Sequence, residues 1–187
     1  MYNTRVLAVV NQKGGVGKTT TVINLGTALA AIKQKVLIID LDPQGNASTG
    51  LGFLPRFRKS NTYQLLIGEN NIAKVVHETE VPNLYIAPSS TDLYGAEIEL
   101  INIDRREFRL KTELSNCEGI YDYILIDCPP ALGLLTVNAL VAAQAILVPL
   151  QCEFYALEGM SQLVKTIERV RSAFNSVLKI QGIVLTM

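Results

Sequence analysis

At 187 residues the chain is long enough to bury a full hydrophobic core, and its 49% hydrophobic content suits one globular domain spanning residues 1–187. Seventeen basic residues balance seventeen acidic ones, so no global field points to nucleic acid or to a membrane surface. No apolar run could span a bilayer or serve as a signal peptide, and Cys117, Cys128 and Cys152 are odd in number and widely spaced, which argues for reduced cytosolic thiols over a disulfide framework or a zinc site.

Taken in chain order, apolar residues predict a first strand over Arg5–Asn11 and a first helix over Lys18–Ile32. A second strand follows at Lys35–Asp40, and then a loop over Leu41–Asn61 rich in Gly, Pro, Ser, Asn and Thr. A short strand is expected at Leu84–Ala87 and a long helix at Ala96–Ser115. The remaining expectations are a strand at Tyr123–Asp127, a helix at Leu134–Ala143, a strand at Ala145–Leu150, a helix at Leu157–Phe174 and a strand at Gln181–Thr186. Such alternation predicts an α/β fold: a mostly parallel central sheet with helices on both faces.

The first strand runs directly into Asn11-Gln12-Lys13-Gly14-Gly15-Val16-Gly17-Lys18-Thr19-Thr20. Strand, glycine-rich turn and helix in that order are the context of a phosphate loop. The glycines let backbone N–H groups curl around an anion, and the helix start adds its positive dipole end. Lys18 has the reach for β- and γ-phosphates, and Thr19 has a hydroxyl for Mg²⁺. The usual motif opens with glycine where Gln12 stands, and Lys13 follows it, so a second lysine enters the loop. Residues Lys13 to Thr20 are therefore the candidate contacts of a nucleoside triphosphate, and the dinucleotide fingerprint does not fit.

Two aspartates, Asp40 and Asp42, lie at the carboxyl end of the second strand, the edge where open α/β sheets bind ligands. One could hold Mg²⁺ through water while the other orients an attacking water, although either could simply cap the turn before Pro43. The strand Tyr123-Ile124-Leu125-Ile126 ends in Asp127, the position from which phosphate-loop enzymes support their metal.

Together, Lys13-Gly14-Gly15-Val16-Gly17-Lys18-Thr19, Asp40-Leu41-Asp42-Pro43-Gln44-Gly45-Asn46 and Asp127-Cys128-Pro129-Pro130 resemble the ParA/Soj family of chromosome- and plasmid-partitioning ATPases. The stretch from Val148 to Gly159 is similar to another segment of that family. The resemblance implies a weak ATPase whose ATP is sandwiched between two protomers, with Lys13 reaching the partner's phosphates. It implies that Asp42 positions the hydrolytic water, that Thr19 ligates Mg²⁺, and that Asp40 and Asp127 stand in its outer shell. It further implies a cytoplasmic, nucleoid-associated homodimer that holds non-specific DNA while ATP is bound, and a centromere-binding, ParB-like partner that stimulates hydrolysis. Family members continue beyond the equivalent of Met187, so the chain reads as a truncated form in which adenine, dimer and DNA contacts are incomplete.

A membrane-site-placing ATPase of the MinD type shares the two-lysine loop, but Asp42-Pro43-Gln44 favours partitioning. Scattered cysteines speak against a nitrogenase-type iron protein, and no second substrate pocket is evident for an amide-forming enzyme. Arg56, Arg58 and Lys59 near Phe53 and Phe57 read as a solvated loop, and Arg105, Arg106, Arg109 and Lys111 with Glu107 and Glu113 as an exposed helical face with i,i+4 pairs. His77 reads as incidental and Cys128 as a small buried hydrophobe.

Overall fold

The computed structural model describes residues 4–153 and 156–187. Strand β1 is Arg5–Val9, β2 Val36–Asp40, β3 His77–Glu78, β4 Leu84–Ala87, β5 Tyr123–Asp127, β6 Ala145–Gln151 and β7 Lys179–Thr186. They form one sheet in the order β3-β4-β2-β5-β1-β6-β7, parallel throughout except for the two-residue β3. The α-helices are α1 Lys18–Ala31, α2 Asn46–Gly50, α3 Thr62–Ile67, α4 Ile72–Val75, α5 Leu93–Glu99, α6 Arg109–Ser115, α7 Leu134–Ala142 and α8 Ala156–Ala173.

Alternation along the strands divides the core in two. Leu7, Val9, Val36, Ile38 and Leu125 face α1, where Val22 and Ala30 complete one layer. Val6, Ala8, Leu37, Ile39, Ile124 and Ile126 face the other way, against apolar residues of α3, α5, α6, α7 and α8. Strands buried on both faces account for the unbroken apolar runs that the sequence shows. Beyond β6 lies β7, on which Ile183 and Leu185 are exposed.

Two expectations are corrected. The region Ala96–Ser115 is not one helix: Arg105 adopts a left-handed backbone (φ 54°), so α5 gives way to short 3₁₀ turns before α6 begins. Its charges do not form i,i+4 pairs. Arg109 Nε instead donates to the Leu66 carbonyl at 2.8 Å, and Glu113 accepts the Ile72 amide at 3.0 Å, both tying α6 to the α3–α4 region. The loop over Leu41–Asn61 contains α2, whose start is fixed by Asp40 accepting the Ser48 amide at 2.8 Å.

Candidate active site

The crevice lies at the carboxyl ends of β1, β2 and β5, where chain connections diverge to either side of the sheet. Register places Asp40 directly beside Asp127, and Asp127 beside Val9, so the two aspartates share the edge from which the loop 10–17 departs. Asn11 anchors that loop by donating to the Pro149 carbonyl at 2.6 Å while its own Oδ1 accepts the Lys13 amide at 3.0 Å.

Gly17 caps α1 with a left-handed backbone (φ 86°), a conformation glycine adopts without strain. No side chain caps α1 and no acidic residue occupies its first turn, so the leading amides stay available to an anion. Open space surrounds Gly14 and Gly15 on the side where a Cβ would project. Lys18 is only 7% exposed, and its ammonium donates to the Lys13 carbonyl at 3.0 Å. Burial lowers its pKa, with Asp127 and Asp42 acting in opposition.

Thr19 Oγ1 donates to Asp127 Oδ2 at 2.7 Å, which joins the helix start to the end of β5. Asp127 Oδ1 is buried and has no hydrogen-bond partner. Burial, reinforced by the nearby Asp40 charge, pushes the Asp127 carboxyl up to about 8. An orphaned carboxylate oxygen next to a threonine hydroxyl fits a hydrated divalent cation, which would satisfy both. Asp40 is also buried, and its carboxyl is raised to about 6 by burial despite accepting from the Ser48 hydroxyl (2.6 Å), the Ser48 amide and the Asp42 amide. Asp40 therefore braces the following loop from within. Asp42 is nearly buried, its Oδ1 accepts the Gln44 amide at 2.9 Å, and Oδ2 has no protein donor among the described residues.

These raised values have a sign. A carboxyl with a folded pKa near 8 stabilises the fold most at low pH, and that contribution is lost as pH rises from the unfolded value near 4 through 8. Asp127→Asn in nucleotide- and Mg²⁺-free buffer is expected to raise Tm at pH 8.5 by roughly 2–6 °C, about 1–2 kcal/mol, with the gain shrinking toward pH 5. A pH-independent difference in thermal melts would overturn this.

Lys13 stands on the loop's outer side, ion-paired with Glu153 and 3.3 Å from Gln151 Oε1. Thr20 is exposed and lines an open groove of about 680 Å³ with Gly17, Asn24, Val184 and Thr186. The structure thus brings Lys13, Gly14 to Thr20, Asp40, Asp42 and Asp127 to one end of the sheet. Phe154 and Tyr155, in the stretch from Val148 to Gly159, lie outside the described residues.

Sequence reasoning missed three participants. Ser48 and Ser89 stitch the Asp42 loop from below: Ser89 Oγ donates to the Asp42 carbonyl at 2.7 Å, and its amide donates to Ser48 Oγ at 3.0 Å. Arg58, expected in a solvated loop, is 7% exposed and spreads its guanidinium over that same region. In the sequence, basic residues beside Phe53 and Phe57 gave no sign of this burial. Cys128 is fully buried beside Asp127, as a small apolar residue would be.

The sequence model of the AAA domain family matches residues 4–180. The chromosome partitioning protein ParA of Caulobacter vibrioides is 57% identical over 98% of this chain and 69% of its own length. The chain belongs to the ParA/Soj family of partitioning ATPases. The sporulation initiation inhibitor Soj of Bacillus subtilis is 49% identical over 98% of this chain and 72% of its own. Among solved structures, cobyrinic acid a,c-diamide synthase from Mycobacterium smegmatis, with bound ADP and magnesium, superposes with a TM-score of 0.94 at 42% identity, covering 97% of this chain and 74% of that one. The ParA/Soj chain described here therefore spans about 70% of these relatives' length. Among its described residues no helix is long and apolar enough to cross a membrane.

Proposed function

We propose that this ParA/Soj chain binds ATP or ADP with Mg²⁺ at residues 13–20 and hydrolyses ATP slowly as the nucleotide switch of a partitioning system. The observation that carries this reading is the convergence of the buried Lys18 ammonium, the uncapped α1 start and the Thr19–Asp127 pair with its orphaned oxygen on one crevice. Lys18 and the loop amides neutralise phosphate charge. Thr19 would ligate the metal directly, and Asp40 and Asp127 would hold its water shell, with Asp127 giving up its proton as the cation enters. Bound Mg²⁺ supplies charge neutralisation at the phosphates. Asp42 orients the attacking water.

In this reading Lys13 acts on a second protomer. It would leave Glu153 to meet the phosphates of the partner's nucleotide, so that ATP is sandwiched in a homodimer. The ATP dimer binds DNA non-specifically, and a centromere-binding, ParB-like protein stimulates the hydrolysis that releases it. Association with the nucleoid in the cytoplasm follows. Identities of 57% and 49% to partitioning proteins favour this over the amide-forming activity named for the M. smegmatis neighbour.

The test is sedimentation of the natural full-length protein with ATP or ADP, with and without arbitrary-sequence duplex DNA, across a salt series. ATP-specific dimers that bind DNA and release it as salt rises are expected. ATP-dependent dimers indifferent to DNA would redirect attention to a MinD-type membrane role. Lys13→Ala is expected to leave monomer nucleotide affinity within about threefold while weakening ATP-dependent dimerisation by roughly tenfold or more. Unchanged dimerisation would remove Lys13 from the trans role.

A further inference from the structure

Arg58 carries a charge into the interior with no carboxylate at ion-pair distance among the described residues. A buried cation is costly unless its donors are used. Here they are spent on three separate segments. Nη2 donates to the Gly45 carbonyl at 3.1 Å and to Thr49 Oγ1 at 2.7 Å, both at α2. Nε donates to the Phe53 carbonyl at 2.7 Å, in the turn after α2, and Nη1 to the Ser89 carbonyl at 3.4 Å, just past β4.

Two of those acceptors belong to residues that hold Asp42. The Asp42 carbonyl receives the Gly45 amide at 2.9 Å and the Ser89 hydroxyl at 2.7 Å. Arg58 therefore grips both residues that hold the Asp42 carbonyl, while the Gln44 amide holds its carboxylate. Gly45 is left-handed (φ 64°), and a Cβ there would collide with Nη1, so the glycine serves the backbone turn and the guanidinium together. A lysine has one point of charge and cannot span acceptors on three segments as a planar fork does.

We propose that Arg58 is the positioning residue for the Asp42 carboxylate, acting through the Gly45 and Ser89 backbone without touching nucleotide or metal. This rests on the reading of Asp42 as the residue that orients water for hydrolysis.

The test compares Arg58→Met, Arg58→Lys, Asp42→Asn and the Arg58→Met/Asp42→Asn double variant in the natural full-length protein, by steady-state ATPase and by nucleotide titration. Arg58→Met is expected to lower kcat by about tenfold to a hundredfold with KM and ATP affinity within about threefold, and Arg58→Lys to recover only part of the loss. In the Asp42→Asn background Arg58→Met should cost about twofold at most, because the group it positions is already gone. A full second loss in the double variant, a fall in nucleotide affinity in step with kcat, or an unchanged kcat would each overturn the proposal. Asp42→Asn alone hydrolysing at the native rate would overturn the reading of Asp42 itself, and the proposal with it. If Arg58→Met loses its helical circular dichroism, Arg58→Lys carries the test by the same criteria.

Discussion

Lys18→Ala is expected to weaken binding of Mg²⁺·ATP by roughly a hundredfold or more, about 3 kcal/mol, measured by calorimetric titration. Asp42 and Asp127 act on the crevice, and Lys18 is the buried cation of the phosphate loop that answers them. Its ammonium is already buried, donating to the Lys13 carbonyl. Exchanging a neutral carbonyl for a phosphate oxygen turns that contact into a hydrogen-bonded ion pair at little extra desolvation cost. With alanine there, the phosphates would face the carboxylates with only the α1 amides in support. The variant should keep its fold, since a buried ammonium contributes little to packing, so unchanged circular dichroism is part of the expectation. Affinity within about tenfold of the native value would contradict the assignment of residues 13–20 as the phosphate site.

Asp42→Ala is expected to separate binding from turnover: ATP affinity within about threefold, and hydrolysis down by roughly 10²–10⁴-fold. Asp42 makes no contact with Lys18 or Thr19 that would hold the phosphate loop together. It offers an oxygen free of protein donors, on a backbone held by Ser89 and Gly45. An acceptor so fixed loses no rotamer freedom when a water docks on it, and that makes orientation effective. A single-turnover phosphate-release assay with saturating ATP reads the chemical step directly. Native-rate hydrolysis would remove Asp42 from catalysis.

The strands were legible because burial on both faces leaves a continuous apolar run, and β2, β4 and β5 in the structure stay within a residue of their expected limits. The phosphate loop was legible because its chemistry is local, with glycines, lysine and threonine contiguous in sequence. What the sequence hid is tertiary. Helix α2 lies in a stretch of small polar residues and begins where the Asp40 carboxylate reaches across eight positions to Ser48. Helix α3 did carry a readable signal, the Asn61…Gln64 capping box, which went unread just past the segment expected as a loop. The break between α5 and α6 turns on the left-handed backbone at Arg105, which no apolar periodicity reveals. Arg58 looked like surface because arginine usually is, and its burial depends on acceptors up to 31 residues away.

Thr186, near the end of β7, donates its hydroxyl to the Val16 carbonyl at 2.9 Å, and its methyl group lies beside Gly17. The phosphate loop, made within the first twenty residues, is thus buttressed by a residue 170 positions later. During synthesis the loop emerges early but is buttressed only when β7 docks, a long-range closure that folds slowly. Nucleotide therefore recognises a chain that has already closed and favours it by mass action over every partly folded form. Occupancy of the site becomes a report that β7 has docked.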